Sequence, residues 1–78
     1  MQDIKQRINN LKQKSRNSDQ TLELGRLYRE LGDKLEARYY FKQCIQDFPQ
    51  VADGYYELGK ILLEEDKISE ANNYLTKA

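Results

Sequence analysis

Sliding the chain along itself by 34 residues aligns Asp19 with Asp53, Glu23 with Glu57, Leu24-Gly25 with Leu58-Gly59, and Glu30 with Glu64. Glu36-Ala37 then falls on Glu70-Ala71, and Tyr40 on Tyr74. This makes eight identities in the 27 pairs between residues 18–44 and 52–78, reached without a gap. Conservative pairs lie between them: Arg26 with Lys60, Leu27 with Ile61, Phe41 with Leu75, Cys44 with Ala78. A fixed period of this length constrains the fold more than any single motif does. Each unit is one supersecondary element that must bury its apolar face on a neighbour.

Inside each unit the apolar spacing is helical. Leu24, Leu27, Tyr28 and Leu31 recur at three and four residues, as do Ala37, Tyr40, Phe41, Cys44 and Phe48. Gly32-Asp33 divides the first unit into two helices: Gly32 can take the left-handed conformation that ends one, and Asp33 with Glu36 is a capping-box pattern that opens the next. Phe48-Pro49 closes the second helix, because a proline disfavours helical geometry in the residue before it. Asp53 follows where a helix N-terminus favours negative charge. Gly in a helix interior costs roughly 1 kcal/mol relative to Ala, so Gly25 and Gly59 at equivalent places require a packing reason. Close approach of the paired helix carrying Ala37 or Ala71 is the expected one, with Tyr28, Tyr40 and Phe41 filling the wider parts of the seam.

These residues resemble the tetratricopeptide repeat family. Its signature of Leu-Gly, a following Tyr, a small residue, an aromatic, another small residue and a Pro reads here as Leu24, Gly25, Tyr28, Ala37, Phe41, Cys44 and Pro49. In the second unit Tyr55, Leu58, Gly59, Ala71 and Ala78 match, Leu62 and Leu75 replace aromatics, and the closing Pro is not reached. The resemblance covers residues 18–78. It implies an all-α fold, a right-handed α-solenoid of antiparallel helix hairpins with about five helices. Residues 18–51 would be the first repeat and 52–78 a second, truncated in its second helix.

Residues 1–17 do not repeat. Ile4, Ile8 and Leu11 make one narrow apolar stripe on a helix otherwise rich in Gln, Asn and Lys. This basic amphipathic segment reads as a cap on the first hairpin, with a dimerising helix or a partner-binding arm as the alternatives. At the other end Ile68, Ala71, Tyr74 and Leu75 lack a polar capping helix, which repeat arrays normally need. The expectation is a fragment of a longer repeat protein, or an end covered by another copy as a homodimer.

Composition excludes several classes. Net charge is zero, with 13 cationic and 13 acidic residues, so the chain lacks the basic balance of a nucleic-acid binder. The charge is nonetheless split: residues 1–17 hold five cations against Asp3, a net +4, and residues 18–78 hold eight against twelve, a net −4. No run approaches the roughly 18 apolar residues of a membrane span, and the first residues lack the apolar middle of a signal peptide. A cytoplasmic protein is the expectation. There is no His, and Cys44 is the single cysteine, so no metal, cofactor or nucleophilic site is expected and the chain does not read as an enzyme. Glu64, Glu65 and Asp66 read as a solvated helix end, Cys44 as a seam thiol, and Tyr39 as the outward member of Tyr39-Tyr40-Phe41.

Opposite the seam, Asp19, Leu22, Arg26 and Arg29 form one stripe and Asp53, Tyr56, Lys60 and Leu63 its copy. In the family such a stripe looks like the inner wall of a concave groove that grips an extended or helical peptide. Leu22, Arg26, Arg29, Tyr56, Lys60 and Leu63 are therefore the candidate groove residues, and ordinary helix surface is the competing reading. Apolar side chains among cations point to a ligand segment with apolar anchors and acidic groups. A subgroup grips a C-terminal carboxylate with Lys and Asn side chains. The corresponding places here hold Leu22, Arg26 and Glu57, so that role is not carried over. The implied function is a protein-protein interaction module acting as scaffold or adaptor; a self-associating structural segment and a regulatory appendage of a catalytic domain elsewhere are the rivals.

Overall fold

In the computed structural model, which describes residues 3–14 and 17–78, the apolar periodicities become five α-helices: α1 Ile4–Lys12, α2 Ser18–Leu31, α3 Lys34–Asp47, α4 Ala52–Glu64 and α5 Ile68–Lys77. Of the basic N-terminal segment, residues 1, 2, 15 and 16 lie outside the described residues. There is no strand among the described residues. Successive helices pack on one another, α1 on α2, α2 on α3, α3 on α4 and α4 on α5, so the fold is an all-α stack of hairpins.

Local chemistry sets the boundaries of α2 and the start of α3. Asn17 caps α2, its side chain accepting the Gln20 N–H at 2.8 Å, while Thr21 Oγ1 donates to the Asn17 carbonyl at 2.9 Å. At the other end Gly32 stands at φ +90°. Its N–H donates to the Arg29 carbonyl at 3.0 Å, and the Asp33 N–H to the Tyr28 carbonyl at 2.9 Å, which satisfies carbonyls that the helix end would otherwise orphan. The Asp33 carboxylate then accepts the Glu36 N–H at 3.1 Å and opens α3. The helix stops at Asp47, before Phe48-Pro49.

The second turn keeps this bonding pattern with the wrong residues for it. Asp66 holds the place of Gly32 at φ +61°, donating from its N–H to Leu63 at 3.1 Å, and Lys67 N–H reaches Leu62 at 2.9 Å. Lys67 holds the place of Asp33 and gives α5 no side-chain cap. Its backbone, at φ −92° and ψ 68°, is close to that of Asp33, at φ −95° and ψ 80°. Asp66→Gly with Lys67→Asp is therefore expected to stabilise the chain by about 1 kcal/mol, chiefly through the new N-cap. A rise in thermal midpoint of roughly 4–8 °C checks it, and an unchanged or lowered midpoint rejects the equivalence of the turns.

Leu24, Leu27, Ala37, Phe41, Cys44, Leu58, Ile61 and Ala71 are wholly buried. The seam differs from expectation at Gly25. A Cβ there would overlap Cε1 of Phe41 and lie 2.8 Å from its Cδ1, so the missing side chain makes room for that ring, and Ala37 is not among its nearest neighbours. At Gly59 the space is taken by Leu75, whose Cγ and Cδ2 would stand 2.7 Å from a Cβ, with the Ala71 carbonyl at 3.4 Å.

The N-terminal stripe packs inward. Ile8 is buried, and Ile4 and Leu11 are partly buried against the same core as α2. Asp3 caps α1 by accepting the Gln6 N–H at 2.8 Å. Lys12 Nζ sits 5.4 Å from the Tyr28 ring centroid, and Tyr28 stacks on Tyr40 at 5.5 Å, which ties α1 to the first hairpin by cation–π and ring contacts. Among the described residues no helix is long and apolar enough to cross a membrane.

Candidate interaction surface

α2 and α4 carry the candidate stripe, and ion pairs join them. Arg26 Nε approaches Glu57 Oε2 at 3.3 Å, and Arg29 hydrogen-bonds Glu64. Glu57 also faces Lys60 Nζ at 3.6 Å, one turn along α4. Its side chain is 7% exposed whereas Arg26 and Lys60 are 47% and 38% exposed. The carboxylate thus lies beneath two cations whose outer parts remain in water. Glu64 is likewise shared, with Lys34 Nζ at 3.5 Å, and Arg38 on α3 reaches Glu65 at 2.7 Å.

These pairs set the electrostatics. Partial burial works to raise the pKa of Glu64, but Arg29 and Lys34 outweigh it and the net shift is downward. A depressed carboxylate contributes stability above its unfolded pKa and loses it as pH falls through the folded value. The α2–α4 link is therefore expected to loosen on acidification below the ordinary glutamate range.

Among the six sequence candidates, five lie on this surface. Arg26 and Arg29 line a shallow hollow with Glu30. Tyr56 is 50% exposed and Leu63 42%, two turns apart on α4, and Lys60 Nζ sits 5.0 Å from the Tyr56 ring centroid. Leu22 is different. It is 3% exposed and belongs to the buried cluster that includes Ile8, so the structure removes it from the ligand-facing set: α1 packs on the helix that carries it.

Glu57 and Glu64 are the charged residues of this surface that the stripe did not supply. A signal was present, since Glu23 with Glu57 and Glu30 with Glu64 are both identities of the 34-residue shift. Their pairing with Arg26 and Arg29 crosses between hairpins and depends on how α2 and α4 are set side by side.

Other groups behave structurally. Burial, followed by the charges of Asp53 and Asp47, holds the Cys44 thiol above its ordinary pKa, which suppresses the reactive thiolate. Tyr39 is exposed and meets Tyr40 edge-on at 5.1 Å. No group of three or more His, Cys, Asp or Glu able to hold a metal occurs among the described residues.

Residues 22–50 match the family model described as tetratricopeptide repeat. The match runs from Leu22 on α2 through the Gly32 turn and α3 to the residue after Pro49. No curated protein matches the chain.

Proposed function

Because the chain carries a tetratricopeptide repeat, a helical repeat that serves protein–protein interaction, we propose that it takes a segment of another protein on the α2–α4 face. The observation that carries this reading is the half-exposed pair of Tyr56 and Leu63 beside Arg26, Arg29 and Lys60. Aromatic and arginine side chains of this kind supply most of the energy at protein interfaces.

Glu57 and Glu64 refine what the ligand offers. Each cation of the face already has a carboxylate, so an acidic ligand group competes with one inside the protein and gains little net charge interaction. Apolar anchors on Tyr56 and Leu63 therefore come first in affinity. Ligand carboxylates or main-chain carbonyls then take the unused donors of Arg26 and Lys60 and set the register.

Tyr56→Ala with Leu63→Ala tests the surface, since both side chains reach solvent, neither fills the core and the cations over Glu57 are kept. Capture of the native partner is expected to fall at least about a hundredfold, as for losing more than one interface anchor, with the thermal midpoint nearly unchanged. Retained capture would reject the α2–α4 face as the site.

A further inference from the structure

The cations of this protein differ in what they are paired with. On the α2–α4 face and beside it Arg26, Arg29, Lys34, Arg38 and Lys60 all meet glutamates. On α1, Arg7 meets Glu23 at 3.4 Å, but Lys5 and Lys12 have no ion pair among the described residues. These two lysines are seven residues apart, two turns on one side of α1, a span of roughly 10 Å at 1.5 Å per residue.

Beneath them the surface is apolar. Two adjoining hollows that share Lys5 and Leu31 run between α1 and the C-terminal half of α2, lined also by Ile4, Ile8, Lys12 and Tyr28. Leu31, at the last position of α2, is 42% exposed. Asp3 is the one carboxylate lining the two hollows among the described residues, and it is engaged as the N-cap of α1, while Glu36 on α3 acts on Lys12 from a greater distance.

We propose that this α1–α2 groove docks an acidic amphipathic helix from a partner protein. Its apolar stripe would lie on Ile4 and Leu31, and carboxylates two turns apart would meet Lys5 and Lys12. The choice of occupant rests on charge. An acidic ligand gains new pairs here without displacing an internal glutamate, whereas on the α2–α4 face it competes with Glu57 and Glu64. An apolar bed rimmed by two lysines outside any ion pair among the described residues, Lys12 resting on the Tyr28 ring, is the complement of a helix with leucines on one side and acids flanking them. The proposal is independent of the function assigned to the α2–α4 face.

The test is a titration of the ¹⁵N-labelled chain with a short acetylated peptide that carries Leu at i, i+3, i+4 and i+7 among Glu and Asp. Amide shifts are expected at Lys5, Ile8, Lys12 and Leu31, with affinity that weakens as salt is raised. Lys5→Glu with Lys12→Glu should weaken binding by roughly tenfold or more, and Leu31→Ala, which keeps both lysines, should weaken it as well. Thermal melting of each variant verifies that α1 stays folded. The proposal is overturned if those amides do not move, if the shifts centre on Tyr56 and Leu63 instead, or if a twin peptide with Lys for Glu binds equally. It is overturned too if the chain without peptide self-associates through this groove, since a second copy is then the occupant.

Discussion

Gly25→Leu is expected to lower the stability of this domain by about 3 kcal/mol, the upper end of the usual cost of overpacking. The Phe41 ring that a side chain at 25 would strike is wholly buried, and a close-packed interior gives it nowhere to go. Even Gly25→Ala should cost stability, although alanine gains roughly 1 kcal/mol in helix propensity, because its Cβ would overlap a carbon of the Phe41 ring. The equivalent change in the second hairpin should behave differently. Leu75, which faces Gly59, is only partly buried and can swing its branched end outward. Gly59→Ala is therefore expected to be near neutral or mildly stabilising. At roughly 4–8 °C per kcal/mol for a domain of this size, thermal melting separates the two cases. Equal midpoints for Gly25→Ala and Gly59→Ala would show that the Phe41 ring is not what demands the glycine. Restoring stability to Gly25→Leu by adding Phe41→Ala would be the positive proof, since contacting residues couple.

What could be read from the chain was what local chemistry decides. Gly32, the Asp33–Glu36 cap and Phe48-Pro49 each act through their own backbone or that of residues three to five away, so their types announce the turn. Asp66 was not legible in this way. The 34-residue shift puts it in the place of Gly32, but an aspartate adopts the left-handed region far less readily than glycine, so its type alone is a weak sign of the positive φ that the second hairpin requires. The partner of Gly25 was hidden for a similar reason: a 34-residue repeat says that two helices come close, but which side chain enters the gap depends on helix rotation. The candidate surface divides along the same line. A three- and four-residue stripe finds Arg26, Tyr56, Lys60 and Leu63, because exposure on one helix follows from its periodicity. The burial of Glu57 depends on Arg26 reaching it from another helix, a pairing that the periodicity of α4 alone does not carry.

Leu22 is the residue on which the sequence stripe and the packed structure disagree most, and its substitution decides between them. By the 34-residue shift it is the counterpart of Tyr56, which is half exposed, and so it read as a groove residue. In the folded chain it is in the core with Ile8 of α1. Leu22→Ala is then expected to cost about 2–5 kcal/mol, the loss of apolar burial together with the cavity left behind. A domain this small has little stability in reserve, so the fraction unfolded should become measurable near room temperature. Ile8→Ala should also destabilise, and the double variant should lose less than the sum if both act by loosening α1 from α2. The α2–α4 face predicts a different outcome for a residue that belongs to it: capture of a partner falls while the melt stays put, as for Tyr56 and Leu63. Leu22→Ala with an unchanged melt and lost capture would return Leu22 to the ligand surface. It would also mean that α1 does not pack on α2 as described, and the groove assigned to an acidic helix would lose one of its walls.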